Sequence, residues 1–368
     1  LKKLSRKIII AGGGTGGHIF PAIAIANALK KKDPAIEILF VGAKGKMEME
    51  KVPQAGHKIE GIDIAGFNRS SLIKNIGLPF KLAKSFFQVR GIVQQFKPNG
   101  VIGVGGYSSF PVLRYAQAKR IPTFIHESNS FAGKSNILLG KKATRIFVAV
   151  EGMEKFFPKE KIMVTGNPVR SSISGNTVSK SEALEFFNLN AGMKTVLATG
   201  GSLGAKGINE AIAVNISEFN KGGVQLIWQT GKPFLQNAKQ VSEGNKNVWT
   251  NDFISQMEYA YAAADVVISR AGAMAIAELS VLRKPVIFVP YPFAAEDHQT
   301  ENAKTLESKN AGVMIRDNEA KEKLVAAAIN LAKDEQKQNE LKTEIGKLGI
   351  TDADMRIADE VLHDLSNN

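Results

Sequence analysis

The chain has 368 residues, no cysteine, 44% hydrophobic residues and a formal net charge of +13. That length suits two domains with sizeable cores, and the lack of cysteine excludes disulfides, zinc thiolates and cysteine nucleophiles. The start Lys2-Lys3-Leu4-Ser5-Arg6-Lys7, then Ile8-Ile9-Ile10, resembles a signal peptide only as far as Gly12, and no apolar run reaches the ~20 residues of a membrane span, so a cytoplasmic protein is expected.

In chain order, the first half alternates apolar strands with helical patterns. Strands are expected at residues 7–11, 37–41, 100–104, 123–126 and 145–148, with helices at 21–31, 78–96, 109–118 and 131–139. A junction at Gly166-Asn167-Pro168-Val169-Arg170 opens a polar stretch, 171–181. The scheme then repeats, with strands at 195–199, 225–229, 266–269 and 286–289, and helices at 207–219, 255–263, 273–282, 298–308 and 319–332. A last helical pattern, 352–365, follows Gly349 and can return to the first domain. Such alternation predicts parallel sheets covered on both faces. The expected fold is α/β, with two Rossmann-like domains facing one cleft.

Glycine-rich turns follow several of these strands. The first, Gly12-Gly13-Gly14-Thr15-Gly16-Gly17-His18, is echoed by Gly200-Gly201-Ser202-Leu203-Gly204-Ala205. Bare backbone in front of a helix start lets N–H groups approach a phosphate. The first turn fits the dinucleotide pattern Gly-x-Gly-x-x-Gly. The next strand, however, ends Phe40-Val41-Gly42-Ala43 without the carboxylate that a nicotinamide enzyme needs for ribose. His18 suits a general base of near-neutral pKa, or else it merely orders the loop. A further cluster, Gly103 to Pro111, adds another anion-ready helix start, and a second diphosphate substrate would explain the surplus. Arg170 can pair with phosphate or form a structural ion pair. Glu278, within the helix after Ser269-Arg270-Ala271-Gly272, is either a ribose acceptor or an ordinary surface glutamate. Asp297-His298-Gln299 follows another strand end. No metal site is expected: Asp352 and Asp354 suit a helix start instead.

In order, GGGTGGHIFPA, GVGGYSSFP, HESNSFAG, GNPVR, GGSLGA, DFISQM, SRAGAMAIAEL and DHQTENA resemble the MurG family. These are the N-acetylglucosaminyltransferases of bacterial peptidoglycan synthesis, and the likeness runs from Gly12 to about Ala303. It implies the GT-B arrangement, with residues 1–169 plus 350–368 as an acceptor- and membrane-facing domain and 170–349 binding UDP-GlcNAc. The implied reaction is inverting transfer of GlcNAc to the muramyl 4-hydroxyl of undecaprenyl-pyrophosphoryl-MurNAc-pentapeptide, with no cofactor. Implied donor contacts are Thr15, Gly16, Gly17, Asn129, Arg170, Ser202, Ile254, Ala273, Met274, Ala275, Ile276, Ala277, Glu278 and Gln299. Main-chain groups at Ile254 would read uracil and Glu278 the ribose. Arg170 and the Ser202 turn would meet phosphate, and Gln299 the sugar. Gly14, Gly105, Gly106, Tyr107 and Ser108 are candidates for the acceptor diphosphate, and His18 for the base. Ser128 and Ala275 depart from the Gln and Thr common in the family.

From Asp63 to Glu127 no acidic residue intervenes, where about six are expected from the chain average. Arg69, Lys74, Lys81, Lys84, Arg90, Lys97, Arg114, Lys119 and Arg120 fill the stretch. Such a face attracts nucleic acid, anionic lipid or a phosphorylated substrate, or is simply solvated. No nucleic-acid recognition motif accompanies it. On a helical wheel Leu82, Phe86, Val89, Val93 and Phe96 form the core stripe. Phe80 and Phe87 lie opposite, flanked by Lys84 and Arg90 and preceded by Leu72, Ile73 and Ile76. These predict peripheral attachment to an anionic membrane surface, the cytoplasmic face of the inner membrane. Alternative readings are another glycolipid glycosyltransferase, a UDP-GlcNAc 2-epimerase or a nucleic-acid-binding protein.

Overall fold

Runs such as Ile8-Ile9-Ile10-Ala11 are fully buried on both faces, as strands covered by helices on either side must be. The computed structural model describes residues 6–66, 77–294 and 297–367. The chain divides into two compact units, Leu1–Arg170 with Asp352–Asn368, and Ser171–Thr351.

The first unit runs β1 (Lys7–Ala11), α1 (Gly16–Lys32), β2 (Glu37–Ala43), α2 (Glu48–Gln54), β3 (Lys58–Ile62), α3 (Leu78–Phe96), β4 (Gly100–Gly103), α4 (Ser109–Ala118), β5 (Thr123–Glu127), α5 (Lys134–Gly140), β6 (Arg145–Val148) and β7 (Ile162–Val164). Its sheet is wholly parallel, in the order β3-β2-β1-β4-β5-β6-β7. Ile8 and Ile10 join Ile19, Ile25 and Leu29 on one face, while Ile9 and Ala11 join Val89, Val112 and Leu113 on the other. This is the period-two alternation of a strand.

The second unit runs α6 (Ser171–Ser174), α7 (Lys180–Phe186), β8 (Lys194–Thr199), α8 (Lys206–Val214), α9 (Ile216–Lys221), β9 (Val224–Gln229), α10 (Leu235–Val241), β10 (Val248–Asn251), α11 (Met257–Ala263), β11 (Val266–Ser269), α12 (Ala273–Val281), β12 (Val286–Phe288), α13 (His298–Ser308), β13 (Val313–Met314), α14 (Ala320–Lys333) and α15 (Glu335–Gly346). Its parallel sheet is ordered β10-β9-β8-β11-β12-β13. The final helix, α16 (Ala353–Ser366), lies in the first unit and packs on α1, adding Ile357, Ala358 and Val361 to the core.

The polar stretch 171–181 holds α6 and the start of α7, which Ser179 caps by accepting from the Glu182 N–H. Two expectations need correction. The helix expected at 207–219 breaks at Asn215, whose amide donates to the Ala211 and Lys321 carbonyls. Leu82 is 36% exposed and outside the core, where Ser85 is buried instead. Helix α3 therefore buries a narrower stripe and leaves a wider apolar outer face.

Candidate functional site

Ligands of open parallel sheets sit beyond the carboxyl ends of the strands, where the strand order reverses. That point lies between β1 and β4 in the first unit and between β8 and β11 in the second. The glycine-bearing turns are the segments that leave these four strands.

In the first unit α1 begins at Gly16 rather than Pro21, so Gly16, Gly17 and His18 form its first turn behind an extended Thr15. The first N–H groups of a helix have no intrahelical partner, and glycines there, lacking side chains, leave them uncovered. The His18 Nδ1 lies 3.2 Å from the Gly13 carbonyl oxygen and 3.4 Å from Thr15 Oγ1. A carbonyl can only accept, so the Gly13 contact favours the tautomer that carries its proton on Nδ1 and leaves Nε2 its lone pair. Enclosure of the ring lowers its pKa below 6.5, against Glu127, the Gly13 carbonyl and Glu48, which raise it. Gly105 (φ +92°) closes over this ring: a Cβ there would fall 2.8 Å from Nε2, so the position requires glycine.

Much of the first glycine turn is spent on its own packing. The Gly12 N–H donates to Val41 O (3.2 Å) and the Gly13 N–H to Gly105 O (3.3 Å). The Gly14 N–H, expected to face a diphosphate, is already taken by Glu48 Oε2 at 2.9 Å. The amides of Gly16, Gly17, Gly106 and Tyr107 enter no hydrogen bond among the described residues. Ser108 Oγ is buried and has no partner among them either. Ser109 Oγ donates to Ala11 O (2.7 Å) and Gly105 O (3.0 Å), joining the two turns. Tyr107 is half exposed.

At the end of β5, Glu127 is buried and accepts from Asn129 N and Nδ2, Gly133 N and Asn136 Nδ2, at 2.9–3.2 Å. Asn129 is thus held against Glu127. His126, fully buried beside it, is pushed down to about 4 by burial, against the Gly166 backbone, which raises it. The Arg170 guanidinium lies over the Phe20 ring, 4.1 Å from its centroid.

In the second unit α12 starts at Ala273 behind an extended Gly272, with no acidic residue in its first turn. Such a start is an anion site, and Ala273, Met274, Ala275, Ile276 and Ala277 are all partly exposed along it. Helix α13 frames it: Gln299 Oε1 accepts from Tyr291 N (3.0 Å) and Asn302 Nδ2 donates to Ala271 O (3.1 Å). Glu278 is no surface glutamate: it is buried and accepts from the Tyr261 hydroxyl at 2.9 Å. The Ile254 side chain is buried, while its main-chain N–H and C=O enter no hydrogen bond among the described residues. Ser202 lies in the Gly200–Ala205 turn, which Gln229 holds by donating to Gly201 O at 3.0 Å. Arg270 pairs with Asp317 and donates to the Val289 and Pro290 carbonyls at 3.0 Å, bracing the end of β12.

Glu48, Glu127, Gln229 and Arg270 were not assigned from the sequence. Glu127 and Arg270 lie inside motifs already singled out, but Glu48 and Gln229 sit in segments with no motif. Among the described residues Glu360, His363 and Asp364 could hold a metal, but Arg145 already binds Glu360 (2.7 Å) and Asp364 (3.2 Å).

On α3, Phe80 (80%) and Phe87 (74%) are exposed, as is Arg90. Leu72, Ile73 and Ile76 lie outside the described residues. Lys84 is not a free headgroup cation, because it pairs with Asp63 at 2.9 Å. Hydrogen bonds from Lys84 and Gln88 hold the Asp63 carboxyl at about 2. Among the described residues no helix is long and apolar enough to cross a membrane.

Comparison with known proteins matches residues 8–148 to the glycosyltransferase family 28 N-terminal domain and 195–357 to the family 28 C-terminal domain. A UDP-N-acetylglucosamine--N-acetylmuramyl-(pentapeptide) pyrophosphoryl-undecaprenol N-acetylglucosamine transferase of Phocaeicola vulgatus is 50% identical over 358 residues, covering 96% of this chain and 95% of the relative. The enzyme of that name from Bacteroides thetaiotaomicron is 48% identical, with 97% of both chains covered. The crystal structure of Acinetobacter baumannii MurG superposes with a TM-score of 0.71 at 26% identity, covering 97% of this chain and 99% of the other. A UDP-GlcNAc 2-epimerase from Neisseria meningitidis reaches 0.69 at 15% identity, covering 97% and 100%, which is a likeness of fold alone.

Proposed function

The chain belongs to glycosyltransferase family 28, among its UDP-N-acetylglucosamine--N-acetylmuramyl-(pentapeptide) pyrophosphoryl-undecaprenol N-acetylglucosamine transferases, and on that premise we propose how its residues divide the work. The reaction is transfer of GlcNAc from UDP-GlcNAc to lipid I, giving lipid II, a hexosyl transfer of peptidoglycan synthesis. The second unit takes the donor and the first the acceptor.

The observation that carries the donor assignment is the combination at α12. A partly exposed helix start with no acid in its first turn suits a diphosphate, and a buried carboxylate at Glu278 suits ribose hydroxyls. Unpaired main-chain groups at Ile254 suit the edge of uracil, and Gln299 can reach the sugar. Charge growing on departing UDP is met by N–H groups and Arg170. In the first unit the amides of Gly106 and Tyr107, with the Ser108 hydroxyl, suit the acceptor diphosphate, and those of Gly16 and Gly17 suit the donor. Gly105 contributes by closing over His18, and the Gly14 amide is not counted. His18 Nε2 takes the proton of the muramyl hydroxyl as that oxygen attacks the anomeric carbon in line, inverting it. Peripheral attachment at the cytoplasmic face of the inner membrane is supported by Phe80, Phe87 and Leu82 on the outer face of α3.

The test is turnover of UDP-GlcNAc with and without a lipid-linked muramyl-pentapeptide. Release of UDP and formation of a disaccharide lipid only with the acceptor is expected. Conversion of UDP-GlcNAc without acceptor would favour the epimerase reading.

A further inference from the structure

Glu48 is 1% exposed, yet it lies beside a turn whose chemistry favours external anions. Its Oε1 accepts from the Ala43 N–H and its Oε2 from the Gly14 N–H, both at 2.9 Å. The surrounding backbone is shaped to admit it. A Cβ on Gly13 (φ +152°) would fall 2.3 Å from the Glu48 carboxyl carbon, and one on Gly42 would fall 2.5 Å from its Cγ. The carboxylate absent from the end of β2 is thus supplied five residues later by α2, and it points inward onto the turn.

The amide it grips belongs to the same peptide unit as the carbonyl that holds His18. The Gly14 N–H donates to Glu48, and the Gly13 oxygen faces His18 Nδ1 at 3.2 Å. We infer that Glu48 is a positioning residue for His18, acting through the Gly13–Gly14 peptide to hold the Nδ1–H tautomer and leave Nε2 as the proton acceptor. The inference rests on the reading of His18 as the base. Its physical content is hydrogen-bond polarisation: a carboxylate on the N–H of a peptide makes its carbonyl a better acceptor. A stronger acceptor at Nδ1 fixes the ring and raises the basicity of Nε2. Other groups act on the ring as well. Glu127, on β5, raises its pKa through space but already carries four hydrogen bonds from its own turn. His126 lies close enough for charge on either histidine to disfavour charge on the other. Arg170 stacks on Phe20, two residues along α1. Thr15 Oγ1 also lies near Nδ1, at 3.4 Å, but it is uncharged; the Glu48 path is the one that brings a carboxylate to bear on Nδ1.

The experiment compares wild type, E48Q and H18A in the full chain, with lipid-linked acceptor. H18A should lose roughly 10²–10⁴-fold in kcat. E48Q should lose roughly tenfold or more in kcat, with UDP affinity and acceptor KM within about twofold, and should shift the acidic limb of its kcat profile downward. E48D, which restores the charge, should recover part of the loss. Independently of any variant, ¹⁵N shifts of the His18 imidazole in wild type should show protonated Nδ1 and bare Nε2 at pH 7.5. An Nε2–H ring in wild type overturns the inference even if E48Q fails to fold. Full kcat and an unmoved acidic limb in E48Q, with H18A inactive, overturn it while leaving the base assignment standing. Unimpaired H18A removes the base assignment itself.

Discussion

At the scale of single residues, burial decides which polar groups are poised. His126 has no surface exposure and its pKa falls to about 4. Between that value and the ordinary 6.5 the unfolded chain binds the proton and the folded chain does not. Stability from this group is therefore complete at pH 7 and declines as pH falls through the window. From pH 7 to pH 5 the loss attributable to His126 should be about 2 kcal/mol. Urea unfolding of wild type and His126→Asn at both pH values measures it, and equal losses in the two proteins would refute the assignment. Glu278 is a second case. The sequence left it as either a ribose acceptor or a surface glutamate, and Tyr261 holds it inside at 2.9 Å. Glu278→Ala should weaken UDP binding roughly tenfold or more, because a charge-assisted contact to ribose is worth about 1.5–3 kcal/mol. Calorimetric titration with UDP provides the check, and unchanged affinity would assign Glu278 to structure alone.

At the scale of elements, α3 carries the least ordinary surface. Its buried positions are Ser85, Val89 and Val93, and Phe80, Leu82 and Phe87 face outward. Exposed aromatics with basic neighbours suit a lipid interface. The Asp63–Lys84 pair reduces the cations such an interface could use, while Arg90 stays exposed. Phe80→Ser with Phe87→Ser should abolish binding to vesicles containing anionic lipid, with melting temperature and UDP affinity nearly intact. Undiminished co-sedimentation would place the membrane face elsewhere. Strands that the sequence pattern missed share one trait. β3 and β10 are partly exposed edge strands, β7 is an edge of three residues and β13 one of two. Half-covered, short strands lose the continuous apolar run that marks an interior strand.

At the scale of the whole molecule, each unit closes its own core, and the first needs the last helix to do so. Ile357, Ala358 and Val361 of α16 fill the face made by Ile19, Ile23 and Ile25. Arg145 binds Glu360 and Asp364, and Arg356 donates to Val164 O at 3.0 Å. Removing buried Ile and Val costs ~1–5 kcal/mol for each side chain, against a total stability of ~5–15 kcal/mol. A chain ending at Gly349 should therefore lose amide protection in β1, β4 and β5 while β8 and β11 keep theirs. Hydrogen exchange followed by mass spectrometry measures this, and full protection in β1 would contradict it.

Interior strands, the principal helices and the glycine turns were legible in the sequence because periodicity and bare backbone are local properties. The order of motifs likewise carried the family. What the turns do with their amides was not legible, since that depends on residues distant in the chain. Glu48 reaches Gly14 from 34 residues away, and Ser109 reaches Ala11 from 98. Charge placement followed the same division: an acid-free stretch could be counted, but only the fold brought Asp63 to Lys84. Tertiary structure decided these points because a hydrogen bond needs a partner within about 3 Å, and sequence spacing sets that distance only within a helix, a strand or a tight turn.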